Sequence, residues 1–175
     1  MAQVDKLETW LDDVLNKNAP FKLPAKSRKT LAGAMWWLAL IGGVLQLWLA
    51  WGFWQTAHLV DRLVDYTNAL SSIYGDNSVV HHLGMFYYTS LVVLLISAVL
   101  LLLAAPHLKA MRKQGWDLVF YGLLINAVYG VVQMFADYGS FSHLLGTLIG
   151  SAISAFFLFQ VREYFLKSAA AKHKA

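Results

Sequence analysis

The chain has 175 residues, 58% of them hydrophobic and 14% charged, with no cysteine and a formal net charge of +4. Soluble domains carry about 25% charged residues, so this composition excludes a water-solvated globule, and the missing cysteine excludes disulfides, thiolate catalysis and cysteine-ligated metals. No cluster of Lys and Arg is interleaved with aromatic residues, so the basic excess is not a nucleic-acid footprint.

The basic residues are sorted along the chain. Thirteen of the fourteen Lys and Arg lie in residues 1–30, 106–115 and 162–175, with Arg62 alone outside them. Four long apolar runs separate these stretches from two poor in basic residues. Lys and Arg near span ends stay on the cytoplasmic side. The pattern therefore predicts four transmembrane helices with both termini in the cytoplasm. Counting Asp117 at the inner edge of the third run, the inner side has thirteen basic and six acidic residues; the outer side has Arg62 against Asp61, Asp65, Asp76 and Asp137. The expected partners are membrane lipids, anionic headgroups included, with no nucleic acid.

Taken in chain order, residues 1–30 are a cytoplasmic amphipathic helix and a Pro-containing linker. Val4, Leu7, Leu11 and Val14 recur at helical spacing with Trp10 and Leu15 beside them, while Asp5, Glu8, Asp12 and Asp13 fall on the other face. The acidic residues argue against a cleavable signal peptide. They argue equally against a polybasic lipid anchor. The helix is read as interfacial or docked against the chain's own basic inner loop; a partner protein is the rival explanation. Pro20 and Pro24 end it. The membrane domain follows over residues 31–161, with spans at about 31–57, 84–105, 116–136 and 143–161. Trp36 and Trp37 suit the inner interface, and Trp48, Trp51 and Trp54 lie toward the outer half. Between the first two spans, Leu59, Leu63, Tyr66, Leu70 and Ile73 recur at alternating steps of four and three. That predicts a second amphipathic helix across the outer surface, broken at Gly75-Asp76-Asn77. The second span stops at Pro106, a tight outer turn joins the last two spans, and a basic cytoplasmic tail occupies 162–175. The fold class is thus an all-α integral membrane protein, a four-helix transmembrane bundle.

No Asp, Glu, Lys, Arg or His falls in the middle of any span. Buried ionisable groups usually mark ion pathways and proton relays, so a proton-coupled pump, a carrier of charged substrates and a retinal protein are disfavoured. The mid-depth residues are weakly polar: Gln46, Ser97, Asn126 and Ser151, one per span. They are read as interhelical hydrogen-bonding groups that set packing and register, with a permeation or ligand site as the alternative. On the third span Gly122, Asn126, Tyr129, Gln133 and Asp137 form one stripe that faces the bundle. On the fourth, Gly146, Gly150 and Ser154 stand at steps of four, flanked by Thr147, Ser151 and Ala155. Small residues at this spacing permit close helix packing, read here as contact within the monomer rather than as dedicated dimerisation. Gly43, with Ala39, Gln46 and Ala50, makes a similar face on the first span, and the two faces are expected to pack together.

Four histidines, His58, His81, His82 and His143, lie at the outer ends of spans, where imidazoles could hold haem or a metal. Yet no spacing matches a ligand signature, and Asp76 and Asp137 are available as simple partners. The reading therefore carries no cofactor and no metal, and keeps these histidines as the candidates. No nucleophile–base–carboxylate set, catalytic carboxylate pair or phosphate-binding glycine loop is present.

The stretch DKLETWLDDVLNKNAPFKLP at residues 5–24 and the ending FLFQVREYF at 157–165 resemble the two ends of small, uncharacterised four-span proteins of the bacterial cytoplasmic membrane. The resemblance implies that membrane and no catalytic residues. The functional expectation is a non-enzymatic accessory, scaffolding or assembly protein, as a homo-oligomer or with a membrane-protein partner. A small oligomeric transporter or channel for a neutral solute is the alternative; a redox protein using the outer histidines is the second.

Overall fold

The structure is a computed structural model, and it describes residues 2–17, 19, 21–74, 84–133 and 141–172. The described residues form helices and no strands: α1 (Ala2–Asp12), continued by a π-helical turn over Asp13–Lys17, then α2 (Ala25–Ile73), α3 (Met85–Lys109), α4 (Lys113–Val132) and α5 (Phe141–Lys172). Helices α2 to α5 are each long and apolar enough to cross a membrane. Connectivity gathers the helix-end basic residues Lys26, Arg28, Lys109, Lys113 and Arg162 at one end of the bundle, here the basic end.

Helix α2 is the main departure from the sequence-based expectation. It runs unbroken for 49 residues, so the helix predicted across the outer surface is the continuation of the first span and not a separate element. The cause is the absence of a breaker. No proline or glycine occurs between Gly52 and Gly75, and the fall in hydropathy after Ala57 changes the solvent of the helix without interrupting its hydrogen bonds. At 1.5 Å per residue it measures about 74 Å, against about 30 Å of hydrocarbon. Its last third carries Asp61, Arg62 and Asp65, charges that hydrocarbon disfavours.

One face of α2 buries Ala32, Ala39, Gly43, Ala50, Ala57 and Val64. A Cβ on Gly43 would lie 2.8 Å from Leu102 Cγ and 3.2 Å from the Ala98 carbonyl oxygen. The small face of the first span therefore packs on α3, which corrects the expected pairing with the fourth span. Near the far end, Tyr87 donates to the Phe53 carbonyl at 2.6 Å and Tyr88 to Asp61 Oδ2 at 3.0 Å, fixing the α2–α3 register.

The second span does not stop at Pro106. Helix α3 continues through it to Lys109, because Leu108 beyond it is fully buried and the helix closes in a Schellman turn. In that turn Met111 takes φ 51°, its N–H bonds to Leu108 O at 2.9 Å, and Arg112 N–H bonds to His107 O at 2.9 Å. The next helix starts so close that a Cβ on Gly115 would lie 2.6 Å from the Leu108 backbone nitrogen. Backbone cannot yield as a side-chain tip does. Gly115→Ala is expected to destabilise the protein by about 2 kcal/mol, as overpacked sites do, measured by thermal unfolding in detergent. An unchanged midpoint would show that the turn opens freely.

The tightly packed core lies at the basic end. Trp116 and Phe120 stack with centroids 5.3 Å apart, Phe159 meets both edge-on at 5.2 and 5.6 Å, and Trp116 Nε1 donates to the Leu158 carbonyl at 2.9 Å. Trp36 and Trp37 stack beside it, with Lys109 Nζ 4.8 Å from the Trp36 ring centre.

Helix α5 extends beyond the predicted span, and this extension holds the N-terminal segment. Arg162 Nη2 lies 2.5 Å from Glu8 Oε1 and Nη1 3.4 Å from Asp12 Oδ2, with Lys113 Nζ 3.9 Å from Glu8. Gln160, fully buried, donates to the Leu15 carbonyl at 3.1 Å and accepts from Leu23 N–H at 3.4 Å. Arg28 pairs with Glu163 at 3.0 Å. The acidic side of α1 thus faces inward: Glu8 and Asp12 are 7% and 8% exposed, whereas Leu7, Trp10 and Val14 face out. Leu11 and Leu15 pack on the core.

Candidate functional site

The four mid-depth polar residues converge. Each lies midway along its own span, so once the helices pack in register Gln46, Ser97, Asn126 and Ser151 come to one level. They line a single cavity of about 380 Å³, joined by Thr147 and Ser154 of α5. Asn126 Nδ2 donates to Ser97 Oγ and to the Gly122 carbonyl, both at 2.8 Å. These two bonds use both Asn126 amide hydrogens. Gln46 Oε1 is buried with no hydrogen-bond partner among the described residues. No charged side chain lines the space.

Toward the far end the polar stripe of α4 continues as expected. Ser90 Oγ and Tyr129 Oη lie 2.5 Å apart, and Gln133 Nε2 donates to Ser90 Oγ at 2.8 Å and also to the Tyr129 hydroxyl. Asp137, the last residue of that stripe, lies outside the described residues. Ser90 was missed in the sequence, although it stands two turns from Ser97 on the same face of α3, which is a readable signal.

Leu101, Val119 and Leu123 give the rest of the cavity wall its apolar character. Beside it α4 and α5 meet so tightly that a Cβ on Gly130 would overlap the Thr147 methyl group. The open side lies between α2 and α5. These helices touch at the basic end, through Arg28–Glu163 and the Tyr164 hydroxyl on the Ala25 carbonyl, but Gly150 and Ser154 at cavity level are exposed. A Cβ on Gly146 or Gly150 would meet nothing within 4 Å among the described residues. The small stripe Gly146, Gly150 and Ser154 is therefore not a close-packing face within this chain, which corrects that expectation. Its members Gly150 and Ser154 form the rim of an opening.

Asn126→Leu is expected to lower stability in detergent by about 1 kcal/mol, the scale of one interhelical hydrogen bond, with helix content unchanged. Unfolding of the purified variant followed by circular dichroism checks this.

Of the histidines, His58 is exposed, with its ring edge-on to Trp54 at 4.4 Å. His81 and His82 lie outside the described residues. His143 belongs to α5, but its side chain lies outside them too. No group of three or more His, Cys, Asp or Glu gathers as a metal site among the described residues. What the cavity offers chemically is hydrogen bonding to an uncharged molecule, since it has no acid, base or nucleophile of matched strength. Compared with protein-family models, curated proteins and solved structures, the chain matches none.

Proposed function

We propose that this chain is a non-enzymatic assembly or accessory protein of the bacterial cytoplasmic membrane, both termini in the cytoplasm, acting by presenting a helical face to another membrane protein. The supporting observation is the outer third of α2. Leu59, Leu63, Tyr66 and Ile73 are 59%, 55%, 64% and 75% exposed there, with Leu70 between them. Their alternating steps of four and three repeat the spacing of a coiled-coil seam. Asp61, Arg62, Asp65 and Asn68 occupy the other faces, so this is water-facing helix with one apolar stripe, and lipid does not cover it. Exposed apolar stripes of this kind mark interaction sites. A second copy is the first partner to consider: insertion holds all copies parallel, and a seam of this period is complementary to itself. The gathering of Lys26, Arg28, Lys109, Lys113 and Arg162 at one end of the bundle, with Arg62 alone toward the other, supports the orientation.

The chain has no cysteine, which makes the test direct. Leu63→Cys and Ile73→Cys are expected to form disulfide-linked dimers in membranes, whereas Ser72→Cys on another face stays monomeric. Equal cross-linking at all three positions, or none together with a one-chain mass in native nanodiscs, overturns self-association. The cavity favours a second reading, a small oligomeric transporter for a neutral solute, for which proteoliposome flux is the test.

A further inference from the structure

We propose that the cavity among Gln46, Ser97, Asn126 and Ser151 binds a neutral, hydroxyl-bearing lipid that enters sideways from the bilayer between α2 and α5. The proposal rests on the cavity and not on the α2 seam, so either idea can fail alone.

Three features define the ligand. The lining has hydrogen-bonding groups but no charge, and an ion moved to this depth would lack a counter-ion, which is costly in hydrocarbon; the ligand is uncharged. The cavity opens where Gly150 and Ser154, midway along the apolar length of α5, are exposed. A molecule reaching it comes from the lipid phase, so the ligand is lipid-soluble.

The third feature is the unmet hydrogen-bonding capacity. Both amide hydrogens of Asn126 are engaged, and Gln46 Oε1 has no partner among the described residues. Unused acceptors are costly in an interior that lacks water. The lining also includes the Ser151 and Ser154 hydroxyls, which donate as well as accept, so the ligand group that matches it is a hydroxyl, which does both. The rotatable Gln46 amide turns its oxygen toward that hydroxyl. A volume of about 380 Å³ is at the small end for ligand pockets. It admits a polar head and its first carbons, and leaves acyl chains along the α2–α5 groove.

The full chain is reconstituted in nanodiscs of phosphatidylcholine, whose headgroup has no hydrogen-bond donor, and 1,2-dioctanoylglycerol is added as the probe. Native mass spectrometry is expected to show one adduct per chain and the unfolding temperature to rise. Trioctanoylglycerol, which lacks the free hydroxyl, gives neither effect. Gly150→Leu narrows the opening where a Cβ meets nothing, so it folds and is expected to lose the adduct. Gln46→Leu and Asn126→Leu weaken binding at least tenfold. Absence of any diacylglycerol adduct, equal binding of the triester, or full retention by Gly150→Leu overturns the proposal.

Discussion

Arg162→Ala is expected to cost about 3 kcal/mol and to free α1 from the bundle, because removing one member of a buried charge cluster leaves the others without compensation. Arg162 contacts Glu8 and Asp12 and also lies over the Trp116 ring, 5.5 Å from its centre. Without it two nearly buried carboxylates face an apolar core, and among the described residues Asp12 keeps only its bond from Asn16, at 3.2 Å, and Glu8 only Lys113, at 3.9 Å. The chain then gains most by releasing α1 into water, which uncovers Leu11 and Leu15. Two measurements check this: the unfolding midpoint in detergent, and the rate of tryptic cleavage at Lys22. The triple variant Glu8→Gln, Asp12→Asn, Arg162→Met removes charge from all three and is expected to recover most of the loss, since neutral replacement of buried ion pairs is often tolerated. Because the cluster is shielded, raised salt is expected to change the wild-type midpoint little. If Arg162→Ala leaves both midpoint and cleavage rate unchanged, the cluster does not hold the N-terminal segment.

Trp116→Ala is expected to be the most destabilising single change in the membrane domain, at about 4 kcal/mol, within the range for buried aromatic truncation. Trp116 is 1% exposed, stacks on Phe120, meets Phe159 edge-on and donates its indole N–H to the Leu158 carbonyl. Alanine removes all four at once. Trp116→Phe keeps most of the ring volume and loses the hydrogen bond, and is expected to cost about 1–2 kcal/mol. A phenylalanine variant as unstable as the alanine variant would place the whole effect in the Leu158 bond and not in the packing.

These two residues also show where sequence reading runs out. Trp116 could be assigned from sequence to the inner edge of a span, but nothing in its neighbourhood says that Phe159 of another helix meets its ring. Arg162 reads as a topology-setting charge, and its partner Glu8 lies 154 residues away. The polar residues were more legible. Gln46, Ser97, Asn126 and Ser151 share one depth because each is inset similarly from its span ends, and depth is a sequence property. That they face one cavity depends on helix rotation, which sequence does not give. The α4 stripe was readable because four of its residues, Gly122, Asn126, Tyr129 and Gln133, repeat at helical spacing, and the structure directs its polar members to α3.

Span ends were read from hydropathy, and there the expectations erred in two directions. Helix α2 persists past Ala57 because loss of apolar character does not break backbone hydrogen bonding. Helix α3 persists past Pro106 because burial of Leu108 outweighs one missing donor.

Sequence alone determined that four helices are long and apolar enough for a bilayer, that their middles hold no charge, and that one polar group per helix sits at mid-depth. Those are sums over consecutive residues. Tertiary structure alone decided which faces meet: the small face of α2 on α3, Gly150 and Ser154 of α5 at an open rim, and the acidic side of α1 on Arg162. Lipid is as apolar as the side chains it touches, so it discriminates little among apolar faces. Shape fit and the pairing of a few polar groups make that choice, and both require all the helices to be present together.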